Sequence, residues 1–103
     1  MRRLAITALL VLASWPAQAQ DSGRHGRALL KEFCGRCHAI GKTDRSRQRT
    51  APPFRTLGRS FDLDQFPRLL ERGLSSTHPA MPEFKFSEDD ARAVSVYLRS
   101  IQQ

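Results

Sequence analysis

The chain has 103 residues, room for one domain. Lys and Arg number 17 against 10 Asp and Glu, a formal charge of +7. That balance suits docking to an acidic protein surface or an anionic membrane face. Two cysteines exclude a four-cysteine structural zinc site.

The N-terminus has the layout of a secretory signal peptide. Met1-Arg2-Arg3 is a basic start. Leu4 to Trp15 is an apolar run interrupted only by Thr7 and Ser14. Pro16 breaks it, and Ala17-Gln18-Ala19 is an A-x-A cleavage site. The expected organisation is therefore a signal peptide over 1–19 and one exported domain over 20–103, placed in the periplasm. The run is short for a bilayer span, which takes roughly 17–25 residues, so an uncleaved anchor is the weaker reading. Arg2-Arg3 hints at twin-arginine export, but a bare pair is a weak signal. No nucleic acid partner is expected of an exported protein.

From about Ser22 to Cys34 the pattern predicts a helix, with Ser22 as its cap. Leu29, Leu30 and Phe33 share one face at helical spacing, with Ala28 beside them. Gly26 sits inside this helix at a propensity cost of roughly 1 kcal/mol. A glycine there makes sense where another helix crosses closely. His25 reads as a surface residue.

Cys34-Gly35-Arg36-Cys37-His38 carries the chemistry. C-x-x-C-H on an exported chain is the pattern of covalent haem attachment. Two thiols on one helical turn can add across the two vinyl groups at one edge of a porphyrin. The histidine after the second cysteine is then held at the iron. Cys34 and Cys37 are read as the covalent attachments of one haem c, and His38 as the proximal iron ligand. Other readings fit less well. A thioredoxin-like pair belongs in a βαβ pattern, which is missing around residues 25–50. A zinc site needs a second ligand pair, and His25 and His78 do not form one. A disulfide across two residues constrains little chain. A domain this small makes a marginal core, and a buried macrocycle would supply apolar surface.

Residues 39–50 read as loop, with Gly41 and a polar run from Lys42 to Thr50. A basic docking patch, a charge partner for haem propionates, and a solvated, mobile loop are all open readings. In Ala51-Pro52-Pro53-Phe54 the prolines hold the chain extended. A metal-bound histidine usually donates its other ring N–H to a nearby acceptor. The Pro52 carbonyl is the expected partner of His38. Phe54, Leu57 and Phe61 read as pocket walls, flanked by Arg55 and Arg59.

A short helix is expected from Gln65 to Arg72, capped by Asp62 or Asp64, with Pro67 in its first turn and Gly73 ending it. Then comes Thr77-His78-Pro79-Ala80-Met81-Pro82. Met81 lies between prolines rather than on a helical stripe. Buried methionine more often fills gaps, but a His/Met iron is a known cytochrome pairing. Met81 is read as the distal iron ligand, with His78 as its competitor on the same loop. Ser87-Glu88-Asp89-Asp90 opens the last helix as a capping box. Ala91, Val94, Tyr97, Leu98 and Ile101 give it an apolar stripe, whose expected partner is the first helix at Gly26. No strand pattern or repeat is visible.

The attachment motif, the proline segment and the methionine loop, in this order, resemble the small class I cytochromes c of bacteria. The resemblance covers essentially the whole exported part. It implies an all-α fold of three to five short helices around one covalent haem, with the terminal helices crossing. Gly26 matches the family's glycine eight residues before the first cysteine, and Tyr97 the aromatic packed there. Pro52 and Met81 match its proline and methionine. Ala51 departs from a common glycine and Leu30 from a common aromatic.

The implied function is single-haem electron transfer between redox partner proteins with acidic docking surfaces, rather than enzymatic catalysis. Arg36, Lys42 and nearby arginines would ring the exposed haem edge. Association with a membrane oxidase, or a place as the cytochrome subunit of a periplasmic dehydrogenase, is an alternative setting. A five-coordinate peroxidase or gas-binding haem protein is the rival if Met81 does not bind. No distal acid–base pair is evident to serve that rival.

Overall fold

The computed structural model describes residues 15–103, with side chains from Ala19 onward. The basic start and nearly all of the apolar run lie outside the described residues. Among those described, the protein is all-α. Helix α1 spans Trp15–Phe33, a 3-10 helix spans Phe54–Arg59, α2 spans Phe66–Arg72 and α3 spans Glu88–Ile101. The sole β-pairing among them is an isolated antiparallel bridge between Leu74 and Phe84.

Helix α1 starts earlier than the sequence predicts. Ser22 lies inside it, so it does not cap it, and the Ala17–Ala19 segment is helical too. Alanine and glutamine are good helix formers, and nothing between Trp15 and Ser22 stops a helix once started. Leu30 is buried, but Phe33 on the expected apolar face is 42% exposed.

α1 and α3 cross at Gly26. A Cβ built on Gly26 would collide with the Ala93 carbonyl and stand 2.9 Å from Val94 Cα. Only a residue without a side chain lets two backbones approach so closely. Helix α3 begins as predicted, with Ser87 Oγ accepting from Asp90 N–H at 3.2 Å. Its expected stripe, Ala91, Val94, Tyr97, Leu98 and Ile101, is buried. With Leu30, Ile40, Phe54, Leu57, Phe66 and Leu70 it forms one core.

The 3-10 helix was not foreseen. The sequence shows Pro52-Pro53 and then Phe54, and both Phe54 and Leu57 are buried. Gln102 fastens this segment to the end of α3. Its amide donates to the Phe54 and Leu98 carbonyls at 2.8 and 2.9 Å and accepts from Gly58 N–H at 2.8 Å. Phe61, expected in a pocket wall, is 44% exposed and meets Phe66 edge-on.

Helix α2 also differs at its start. Gln65 is the N-cap, without a side-chain cap bond, while Asp62 Oδ1 instead accepts from Asp64 N–H at 2.9 Å. Pro67 lies in the first turn. At its end Gly73 has φ +114°, a conformation that disfavours side chains. That turn sends the chain from α2 into the loop that carries Met81.

Candidate haem-attachment site

Cys34, Cys37 and His38 lie on a turn that continues from α1. Cys34 N–H donates to Leu30 O at 2.8 Å, and His38 N–H to Cys34 O at 3.0 Å. The helical geometry therefore persists past Phe33 and sets both cysteines and the histidine on consecutive turns. Both thiols are free. Cys37 is exposed, while Cys34 is half-buried. Burial, and secondarily the neighbouring Cys37, pushes the Cys34 thiol up to about 11.

The His38 ring is fixed on two sides. Nδ1 lies 2.7 Å from the Pro52 carbonyl oxygen. A carbonyl can only accept, so Nδ1 carries the proton and Nε2 keeps its lone pair. The ring also stacks on Phe54, with centroids 4.6 Å apart and planes 23° from parallel. Phe54 N–H donates to Ala39 O at 3.0 Å, so the proline segment is pinned against the residue that follows His38. Pro52 is the residue whose carbonyl the sequence analysis assigned to His38. The stacking of Phe54 on the ring is an addition. Its only sequence signal is an aromatic two residues after that proline.

The loop after His38 is ordered by side chains. Asp44 accepts from Ile40 N–H at 3.2 Å and from Gly41 N–H at 2.8 Å. Ser46 Oγ accepts from Ala39 N–H at 2.9 Å. Gln48 N–H donates to Cys37 O at 3.1 Å. The stretch is loop, as the sequence predicts. It has no helix or strand, yet polar side chains satisfy its backbone. The signal lay in Asp44 and Ser46, which serve as local acceptors. Arg55, which flanks the expected pocket walls, donates to Asp44 O at 2.6 Å.

Met81 is half-buried on the loop 75–83. That loop is shaped from within. Met81 N–H donates to His78 O at 3.1 Å, and Ala80 N–H to His78 Nδ1 at 3.2 Å. His78 is exposed, and its Nδ1 is occupied by this turn. The base of the loop is closed by the Leu74–Phe84 pair, with N–H to O distances of 2.7 and 3.0 Å. Sequence reasoning missed the aromatic cluster at this base. Phe33, beside Cys34, meets Phe84 and Phe86 edge-on.

Among the described residues, no group of three or more His, Cys, Asp or Glu converges to hold a bare metal ion. The donors present are two thiols, one imidazole nitrogen with its tautomer fixed, and one thioether. Their chemistry fits a macrocycle attached through sulfur with an imidazole ligand, and the Met81 thioether is a further soft donor. Compared with known protein families, curated proteins and solved structures, the chain gave no match.

Proposed function

We propose that this protein is a class I c-type cytochrome, an exported carrier that passes single electrons between redox proteins. The observation that carries the reading is the contact between His38 Nδ1 and Pro52 O at 2.7 Å. It leaves the Nε2 lone pair of the neutral ring free, on a residue that directly follows C-x-x-C. A carbonyl partner of this kind also raises the basicity of a ligating imidazole. The bound haem would supply the one-electron iron couple.

The protein's own residues do the rest. Cys34 and Cys37 tether the group. His38 and Met81 would hold its iron through an imidazole nitrogen and a thioether sulfur. A neutral thioether favours the ferrous state and raises the potential. Two filled axial positions leave oxygen and peroxide no open site, which favours a carrier over an enzyme.

The partner surface in this reading is the basic loop. Lys42, Arg45, Arg47 and Arg49 are exposed on this loop, which is tied to the Cys37 carbonyl through Gln48 N–H. The acid in the same stretch, Asp44, points its carboxylate at backbone N–H groups. A fixed patch of one sign steers an acidic partner, such as a membrane oxidase or a periplasmic dehydrogenase, to the attachment edge. Electron exchange with such a partner should slow as salt is added, and an unchanged rate would remove the patch from the docking face.

The deciding experiment is expression with a cytochrome c maturation system, followed by visible spectra of both oxidation states and carbon monoxide addition to the reduced form. Covalent haem with a low-spin spectrum, a weak sulfur-to-iron band when oxidised, and no carbon monoxide shift is the expected result. Haem that is not covalently bound sinks the attachment reading. A high-spin spectrum that shifts with carbon monoxide sinks Met81 as ligand.

A further inference from the structure

Phe33 is the last residue of α1, immediately before Cys34, and it is 42% exposed. A lone exposed phenylalanine needs no explanation. This one is not alone. Its ring meets Phe84 at 6.1 Å between centroids and 61° between planes, and Phe86 at 5.6 Å and 76°. Both are edge-to-face arrangements of the favoured kind.

The two partner rings sit where the Met81 loop returns. Phe84 pairs with Leu74 across the base of the loop, and Phe86 N–H donates to Leu70 O at 2.9 Å. Bonds within the loop, such as Met81 N–H to His78 O, shape it without attaching it to anything else. The bonds at the base join it to α2. The Phe33 contacts join that base to the segment carrying Cys34, Cys37 and His38.

We propose that Phe33 is a positioning residue. It latches the Met81 loop to the haem-attachment segment and so sets how often the thioether leaves the iron. This rests on the His/Met cytochrome reading given above. Without the latch, α2 stays in the core with Leu30, but the base of the loop loses its ring contacts to the attachment turn. A weak ligand on a loop is lost as often as the loop opens. The ring, rather than apolar bulk alone, supplies the two edge contacts.

The test uses the haem-loaded protein and the rate at which imidazole binds the ferric form, since imidazole enters only when Met81 departs. Phe33→Ala should bind imidazole roughly tenfold faster or more, from the loss of two aromatic contacts, and its sulfur-to-iron band should weaken. Phe33→Tyr should restore both. Phe33→Leu keeps bulk beside Cys34 and should still bind faster, which covers the case in which Phe33→Ala fails to mature. Tyr97→Phe, which removes a bond from α3 to Ile40 and none to the loop, should leave the imidazole rate unchanged.

Unchanged imidazole binding in Phe33→Ala, or in Phe33→Leu where the alanine variant does not mature, would overturn the proposal and leave the His/Met reading standing. Equal acceleration by Tyr97→Phe would overturn it as well, since the effect would then be global stability. A wild-type protein without covalent haem or without the sulfur band would overturn both.

Discussion

The Tyr97 hydroxyl donates to the Ile40 carbonyl at 2.5 Å in the buried core. This bond ties α3 to the segment that leaves His38, and Ile40 is the same residue whose N–H is held by Asp44. Tyr97→Phe keeps the ring but leaves a buried carbonyl without a partner. Such a loss costs about 1–3 kcal/mol. Denaturant unfolding of the haem-loaded variant should show it, with its spectrum unchanged. Wild-type stability in the variant would mean that water or another donor reaches Ile40.

Two glycines of α1 make a matched pair. A Cβ at Gly26 would collide with the Ala93 backbone, whereas one at Gly23 would meet only Val96 Cγ1 at 3.9 Å. Both gain helix propensity as alanine, roughly 1 kcal/mol. Gly23→Ala should therefore stabilise by about that amount. Gly26→Ala should destabilise in spite of it, by about 1–3 kcal/mol or more, as overpacked sites do. Paired melting curves decide this, and a gain at both positions would mean that the helices do not cross at Gly26.

Ser95 is buried on α3, and its Oγ has no hydrogen-bond partner among the described residues. A buried hydroxyl without a partner is a cost. Ser95→Ala removes it and also improves helix propensity. Stability should rise by about 1 kcal/mol, read from the denaturant midpoint. A loss would show that the hydroxyl has a partner in solution.

Met81→Ala should keep the haem covalently attached, because Cys34 and Cys37 are untouched. Its potential should fall, and the reduced form should bind carbon monoxide. An unchanged potential and no carbon monoxide binding would assign the distal position to another residue. His78, on the same loop, would be next to test.

The Cys34 thiol is pushed up to about 11 by burial. In the haem-free chain the folded state then holds this proton more tightly than the unfolded state. Its stabilising contribution is complete below the unfolded value of about 9 and is lost as pH rises through about 11. Unfolding of that chain should become easier across this window, and the Cys34→Ala chain should lack the change. An identical pH dependence in the two chains would contradict the burial of this thiol.

What the sequence made legible follows the strength of local signals. Ser87 with three acids after it marked the start of α3, because a cap is a short-range device. The stripe through Val94 and Tyr97 marked its buried face by period alone. Gly26 announced a close crossing, since its propensity cost asks for a reason. The His38–Pro52 contact followed from how ligating imidazoles are held. The misses are tertiary. The start of α1 depends on residues that are all acceptable in a helix, so Ser22 looked like a boundary without being one. The exposure of Phe33 and Phe61 depends on what lies opposite them. The ordering of residues 39–50 rests on Asp44 and Ser46 reaching back along the chain, in a stretch without any hydrophobic period.

The crossing of Gly26 with Ala93 has one more consequence, in the order of events. A chain emerging N-terminus first presents Cys34 and Cys37 well before α3 exists to lie across α1. Closing so long a loop also costs chain entropy before any contact rewards it. The half-buried Cys34 thiol thus has a period of freer access before the last helix docks, while Cys37 stays exposed throughout. On the proposed cytochrome reading, attachment at Cys34 would be kept apart from final packing by position along the chain, and a circular permutation that places α3 ahead of α1 would erase that interval.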